Sequence, residues 1–120
     1  MKLAIIGSRG FNDYDLLKKM IDLKDVDLIV SGGAKGADSL ANTLAEENQI
    51  PIKVFLPEWK KYGYSAGFIR NSYIIEEADK VIAFWDGQSK GTLDSINKAK
   101  IMGKPITVVN YNTSNILDFE

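Results

Sequence analysis

The sequence predicts an α/β domain whose parallel sheet is covered by helices on both faces. Two observations carry this. Short apolar runs suited to buried strands alternate with segments of helical periodicity through most of the chain. Three glycine-bearing segments each follow one of those runs, where strand-to-helix turns belong.

Residues 2–6 carry the apolar run LAII and read as the first strand. The loop 7–13 follows, and Asp13 is placed to cap a helix bearing Leu16, Leu17, Met20 and Ile21. Residues 27–30 (DLIV) read as the second strand. The clearest helix comes next, with Ala37, Leu40, Ala41, Leu44 and Ala45 on one stripe. Residues 50–56 read as the third strand, with Pro51 near its start. Residues 57–66 are aromatic and irregular. Residues 67–78 suit a helix, although Tyr73, Ile74 and Ile75 have weak helix propensity. Residues 80–85 (KVIAFW) read as the fourth strand. A helix over 92–102 is expected to turn Leu93, Ile96 and Ala99 inward, with Gly103 ending it. Residues 105–109 read as the fifth strand. The polar tail 110–120 carries no assignment. No repeat, linker or low-complexity tract divides the chain, so one domain over residues 1–120 is expected.

Composition narrows the chemistry. The 120 residues are 45% apolar and 26% charged, which is ordinary for a folded domain. The formal net charge of -1 offers no basic field for duplex DNA or an anionic membrane. There is no cysteine and no histidine. Disulfides, thiolate zinc sites, Ser-His-Asp triads and imidazole acid/base chemistry are therefore excluded. Catalysis would have to use carboxylates, hydroxyls, lysine, tyrosine, backbone amides or a hard metal. The sequence shows neither a signal peptide nor a membrane span, so a cytoplasmic protein is expected.

The glycine loops are 7–10 (GSRG), 31–36 (SGGAKG) and 86–92 (DGQSKGT). Ligands of open parallel sheets bind outside the carboxyl ends of the strands. Two of the loops run straight into helices, whose first N–H groups and positive dipole ends attract anions. Each hydrogen bond to a charged group contributes roughly 1.5–3 kcal/mol, so two such loops can hold a phosphate. One such loop alone is often only turn geometry. Three on one predicted edge favour a site. Standard fingerprints do not fit. The loop 31–36 has serine where the dinucleotide motif begins with glycine, and no acidic residue closes the next strand. No Gly-Lys-Ser/Thr ends a loop of P-loop length.

In order, GSRGF, SGGAKGAD, GFIRN and ADKVIAFWDGQSKGT resemble the SLOG superfamily, specifically its YspA-like branch. The superfamily also holds the Lonely Guy phosphoribohydrolases and the DNA-processing protein A Rossmann domain. The resemblance covers nearly the whole chain up to Val109. It implies a Rossmann-like three-layer fold, with a five-stranded, mainly parallel sheet in the order 3-2-1-4-5. It also implies glycine loops that bind a nucleotide or nucleotide-derived ligand, with no obligatory cofactor. Homo-oligomerisation is implied by the superfamily alone. Against the Lonely Guy pattern, Arg70, Ala78, Asp79, Gly91 and Thr92 match. The first of its paired glycines does not, and its catalytic glutamate falls on Ser95. A serine without histidine cannot do that carboxylate's work, so binding is favoured over hydrolysis. Asp94 lies one residue away, turned about 100° on a helix.

The expected ligand or phosphate contacts are Gly7, Ser8, Arg9, Ser31, Gly32, Gly33, Gly36, Asp38, Arg70, Asn71, Asp86, Gly87, Ser89, Gly91 and Thr92. Arg70 and Arg9 can clamp phosphate, or stand as solvated charges. Lys35 and Lys90 are better read as solvated. Asp38 suits helix capping or the site. Asn71 suits a base or a loop carbonyl equally. Asp86 suits ribose hydroxyls, a metal or a turn. Thr92 can simply cap its helix. Among Trp59, Tyr62, Tyr64 and Phe68, one can stack on a base, while core packing is expected for most. Glu58 and Asp86 are the carboxylates available to an N-glycosidase or phosphoribohydrolase alternative. A single-stranded nucleic-acid module is the third alternative, disfavoured by the near-neutral charge. No metal site is expected.

Overall fold

The structure is a computed structural model that describes residues 1–119. Its strands are β1 (Lys2–Gly7), β2 (Leu28–Ser31), β3 (Ile52–Val54), β4 (Lys80–Trp85), β5 (Ile106–Asn110) and β6 (Asn115–Phe119). They form one sheet in the order β3-β2-β1-β4-β5-β6. The first five run parallel, and β6 returns antiparallel against β5. Its helices are α1 (Tyr14–Met20), α2 (Ala37–Glu47), the single turn α3 (Trp59–Tyr62), α4 (Ala66–Glu77) and α5 (Lys90–Ile101). The Rossmann-like order 3-2-1-4-5 is present, with one strand added at its end. No described helix is long and apolar enough to cross a membrane.

Alternation along β1 and β4 builds the three layers. Leu3, Ile5, Ile82 and Phe84 join the core beneath α1 and α2, where Phe11 stacks on Phe84 at 4.7 Å. Ala4, Ile6, Val81 and Ala83 join the opposite core, with Ile74 and Ile75 from α4 and Ile96 and Ala99 from α5. Both strands are apolar on both faces because both faces are covered.

Apart from shifts of one residue, four features differ from the sequence reading. The third strand is shorter at both ends. Pro51 has no N–H to give the ladder, although its carbonyl accepts from Ile29 at 2.9 Å. The short α3 and a 3₁₀ turn occupy the irregular segment. The tail left without assignment holds a sixth strand. Residues 111–114 turn the chain, and β6 pairs Val109 with Ile116 and Asn110 with Asn115. Thr107 there donates to the Asp118 carboxylate at 2.6 Å.

The fourth difference concerns α5, which starts two residues early. Its cap is Ser89, whose hydroxyl accepts from Thr92 N–H, and Thr92 itself lies inside the first turn. The inward face is Thr92, Ser95, Ile96 and Ala99, while Leu93 is 38% exposed. Small polar side chains occupy positions that apolar patterning gave to leucine. Ser89→Ala is expected to cost about 0.5–1 kcal/mol, read from a denaturant midpoint. The cap bond is long, at 3.4 Å, which sets the low end of that range.

Candidate functional site

The chain order reverses between β1 and β4, so the loops leaving these strands diverge. A cleft of about 620 Å³ opens there, above the carboxyl ends of the strands. Gly7, Ser8 and Arg9 line it from the β1 loop, and Gly32, Gly33 and Asp38 from the β2 loop and α2. Arg70 and Asn71 line it from α4, and Asp86, Ser89, Gly91 and Thr92 from the β4 loop and α5. Four expected residues stand elsewhere. Ser31 is fully buried, Gly36 underlies the loop, Gly87 faces Asn110, and Glu58 lines a separate hollow. Lys35 and Lys90 are exposed outside the cleft.

Arg70 is the central cation. Its Nη1 donates to the Gly32 carbonyl at 2.7 Å, and its Nε donates to Asn71 Oδ1 at 3.0 Å. Both acceptors are neutral, and no carboxylate forms an ion pair with it among the described residues. Burial holds its pKa below the usual arginine value, with Asp38 opposing that shift and Arg9 adding to it. Gly32 makes this placement possible, because a Cβ there would come within 2.7 Å of Nη1.

Asp38 does not cap α2. Its Oδ2 instead accepts from the Ala34 N–H at 3.1 Å, tying the loop to the helix. Burial raises its pKa above 3.8, against the opposing pull of the Ala34 N–H, Arg70, Ser31 and Gly32. The Ser31 hydroxyl lies near enough to bias this carboxyl yet completes no hydrogen bond. It is the one buried side-chain polar atom without a partner among the described residues.

A raised carboxyl pKa has a stability consequence with a definite sign. Ionising Asp38 in the fold carries a cost above its folded pKa that is absent below 3.8. Asp38→Asn keeps an oxygen for Ala34 and removes that cost. The variant is expected to melt higher than the wild type at neutral pH. The gain should close as the pH falls to about 4, in paired thermal melts. Equal destabilisation at both pH values would show that the Ala34 contact dominates.

Two further candidates are taken up by the frame. Asn71 Nδ2 donates to the Gly91 carbonyl and to Asp94 Oδ2, both at 3.2 Å, and so fastens α4 to α5. Asp94 also pairs with Lys98 at 2.7 Å. Asp86 Oδ1 accepts from the N–H groups of Ser89 at 2.7 Å and Gln88 at 2.8 Å, and these hold its pKa below the usual value. It is the turn-forming aspartate that leads into α5. The Ser8 hydroxyl accepts from the Asp86 N–H at 3.1 Å, joining the first loop to the third.

The aromatic segment departs most from expectation. Trp59, Tyr64 and Phe68 are 54%, 100% and 45% exposed, and all three line the cleft mouth rather than the core. Leu56 and Pro57 line it too, and the sequence reading had not considered them. The absence of apolar periodicity over 57–66 was the available signal. Ser95 is buried at the cleft wall.

Sheet order and cleft position together define a Rossmann-like α/β domain with a cleft at the topological switch. The model of the YspA, cpYpsA-related SLOG family matches residues 1–62, just over half of the chain, and the chain belongs to that family. The match takes in the first two glycine loops and Asp38, while Arg70 and the third loop lie beyond it. No curated protein and no solved structure matches the chain.

Proposed function

We propose that the cleft binds or senses a nucleotide or nucleotide-derived ligand through its phosphate. The observation that carries this is Arg70, half-buried in the cleft wall with its guanidinium hydrogen-bonded only to neutral oxygens. Asp38 offsets only part of the cost of burying this charge, and an arriving anion relieves the rest. A guanidinium also presents a planar fork that matches phosphate.

The surroundings support the same ligand. Lys90 and Gly91 occupy the first turn of α5, where N–H groups have no helical partner. A Cβ at Gly91 would meet nothing within 4 Å, so a phosphate has room beside the backbone. The mouth offers the rings of Trp59, Tyr64 and Phe68 to a base. Phosphate on the floor and base at the mouth is the polarity of a nucleotide.

Hydrolysis draws less support from this arrangement. Ser95 offers no carboxylate, Glu58 lies outside the cleft, and Asp86 has one oxygen engaged in its turn. The net charge of -1 gives single-stranded nucleic acid little to follow. Titration calorimetry with inorganic phosphate and a panel of nucleoside monophosphates tests the binding reading. Saturable heat that disappears in Arg70→Gln is expected. No heat from any monophosphate at millimolar concentration, or equal heat in both proteins, would overturn it.

A further inference from the structure

Beside the cleft lies a second hollow of about 360 Å³, and Arg70 and Leu56 form the wall between the two. Phe55, Glu58, Tyr62 and Tyr73 line its other sides. We propose that this hollow receives one base of a phosphate-bridged dinucleotide, whose bridging phosphate rests on Arg70 and whose other base occupies the main cleft. The proposal builds on the phosphate reading of Arg70 and names the ligand class that reading leaves open.

Three features select a base as the occupant. The first is aromatic surface. Phe55 and Tyr73 lie 6.1 Å apart at 34°, so no third ring enters between them. Tyr73 is 41% exposed, and a planar heterocycle can stack on its open surface. The second is charge. A carboxylate only accepts hydrogen bonds, so Glu58 meets a base's amino or ring N–H group and repels a second phosphate. The third is the hydroxyl pair. The Tyr62 and Tyr73 hydroxyls interact closely, and the contact lowers the pKa of Tyr62 and raises that of Tyr73. These hydroxyls add donors and acceptors for a base edge.

Size and position fix the bridging geometry. The larger cleft has room for a nucleotide, and the smaller hollow for one more ring system. Arg70 lines both spaces, so a phosphate held on its guanidinium in the main cleft lies next to the wall that the second hollow shares. A mononucleotide fills one space and leaves the other to water.

The test is calorimetry on the full chain with adenosine monophosphate, diadenosine diphosphate and the 3′–5′ adenylate dimer. At least one dimer is expected to bind about tenfold or more tightly than the monophosphate, the gain from one stacked base. The dimer that shows the gain identifies the linkage. Tyr73→Ala should bring that dimer down to the monophosphate's affinity and leave the monophosphate unchanged. Tyr73→Phe should keep the gain, and Glu58→Lys should lose it. A thermal melt of each variant controls for folding. Equal affinity of the monophosphate and both dimers overturns the second hollow and leaves the phosphate reading standing. Equal weakening of all three ligands by Tyr73→Ala does the same. Absence of binding by all three overturns both.

Discussion

Gly36→Ala is expected to cost about 3–5 kcal/mol, most of the stability of a marginal domain. Gly36 caps α2 at φ 78° and ψ −128°, a conformation open only to glycine. A Cβ there would stand 2.3 Å from the Ser8 carbonyl oxygen and 2.7 Å from that of Arg9. Both neighbours are backbone, so no rotamer change relieves the clash. Moving either one shifts the first loop off the second. A urea transition should show a much lower midpoint, with phosphate binding lost in whatever remains folded. A midpoint within about 1 kcal/mol of the wild type would mean that the two loops slide past each other freely.

Arg70→Gln is expected to do the reverse, abolishing binding while sparing the fold. The charged hydrogen bonds removed contribute about 1.5–3 kcal/mol each, so two of them predict a loss of about 100-fold or more. The substitution also removes a half-buried charge that Asp38 only partly offsets, and the glutamine Nε2, standing where Arg70 Nε stands, can still donate to Asn71 Oδ1. Stability should therefore stay within about 1 kcal/mol or rise slightly, the pattern of a residue kept for function. Arg70→Lys keeps the charge and loses the fork, so intermediate affinity is expected. A large fall in thermal midpoint in Arg70→Gln would recast the side chain as a structural tie between α4 and the β2 loop.

The legible parts of the fold were those with strong local patterns. The apolar runs of β1 and β4 and the stripe of α2 state their burial residue by residue. The order of the strands came from the resemblance, not from periodicity. What escaped had physical reasons. Thr92 and Ser95 are buried polar residues, so a hydrophobic rule assigned their face of α5 to Leu93. In β6, Ile116 and Leu117 are about half exposed, so the strand lacks the alternation of a half-buried one. Its pairing is set by β5 and by the turn before it.

The site was legible as a set of loops but not as a set of roles. Three loops on one edge did converge on one cleft. Yet the acceptor that positions Arg70 lies 38 residues away, and Asn71 is engaged by a carbonyl 20 residues on. Partners that distant leave no mark on local sequence. Trp59, Tyr64 and Phe68 look like core residues by composition, and only their exposure shows otherwise.

The bond from Arg70 to the Gly32 carbonyl also has a kinetic side. It joins a helix of one outer layer to the loop that leads into a helix of the other. A ligand that draws the guanidinium outward loosens this tie, and one that leaves it in place tightens it. Amide hydrogen exchange across residues 32–36 would then speed up or slow down on occupancy, making that short stretch of backbone a reporter of what the cleft holds.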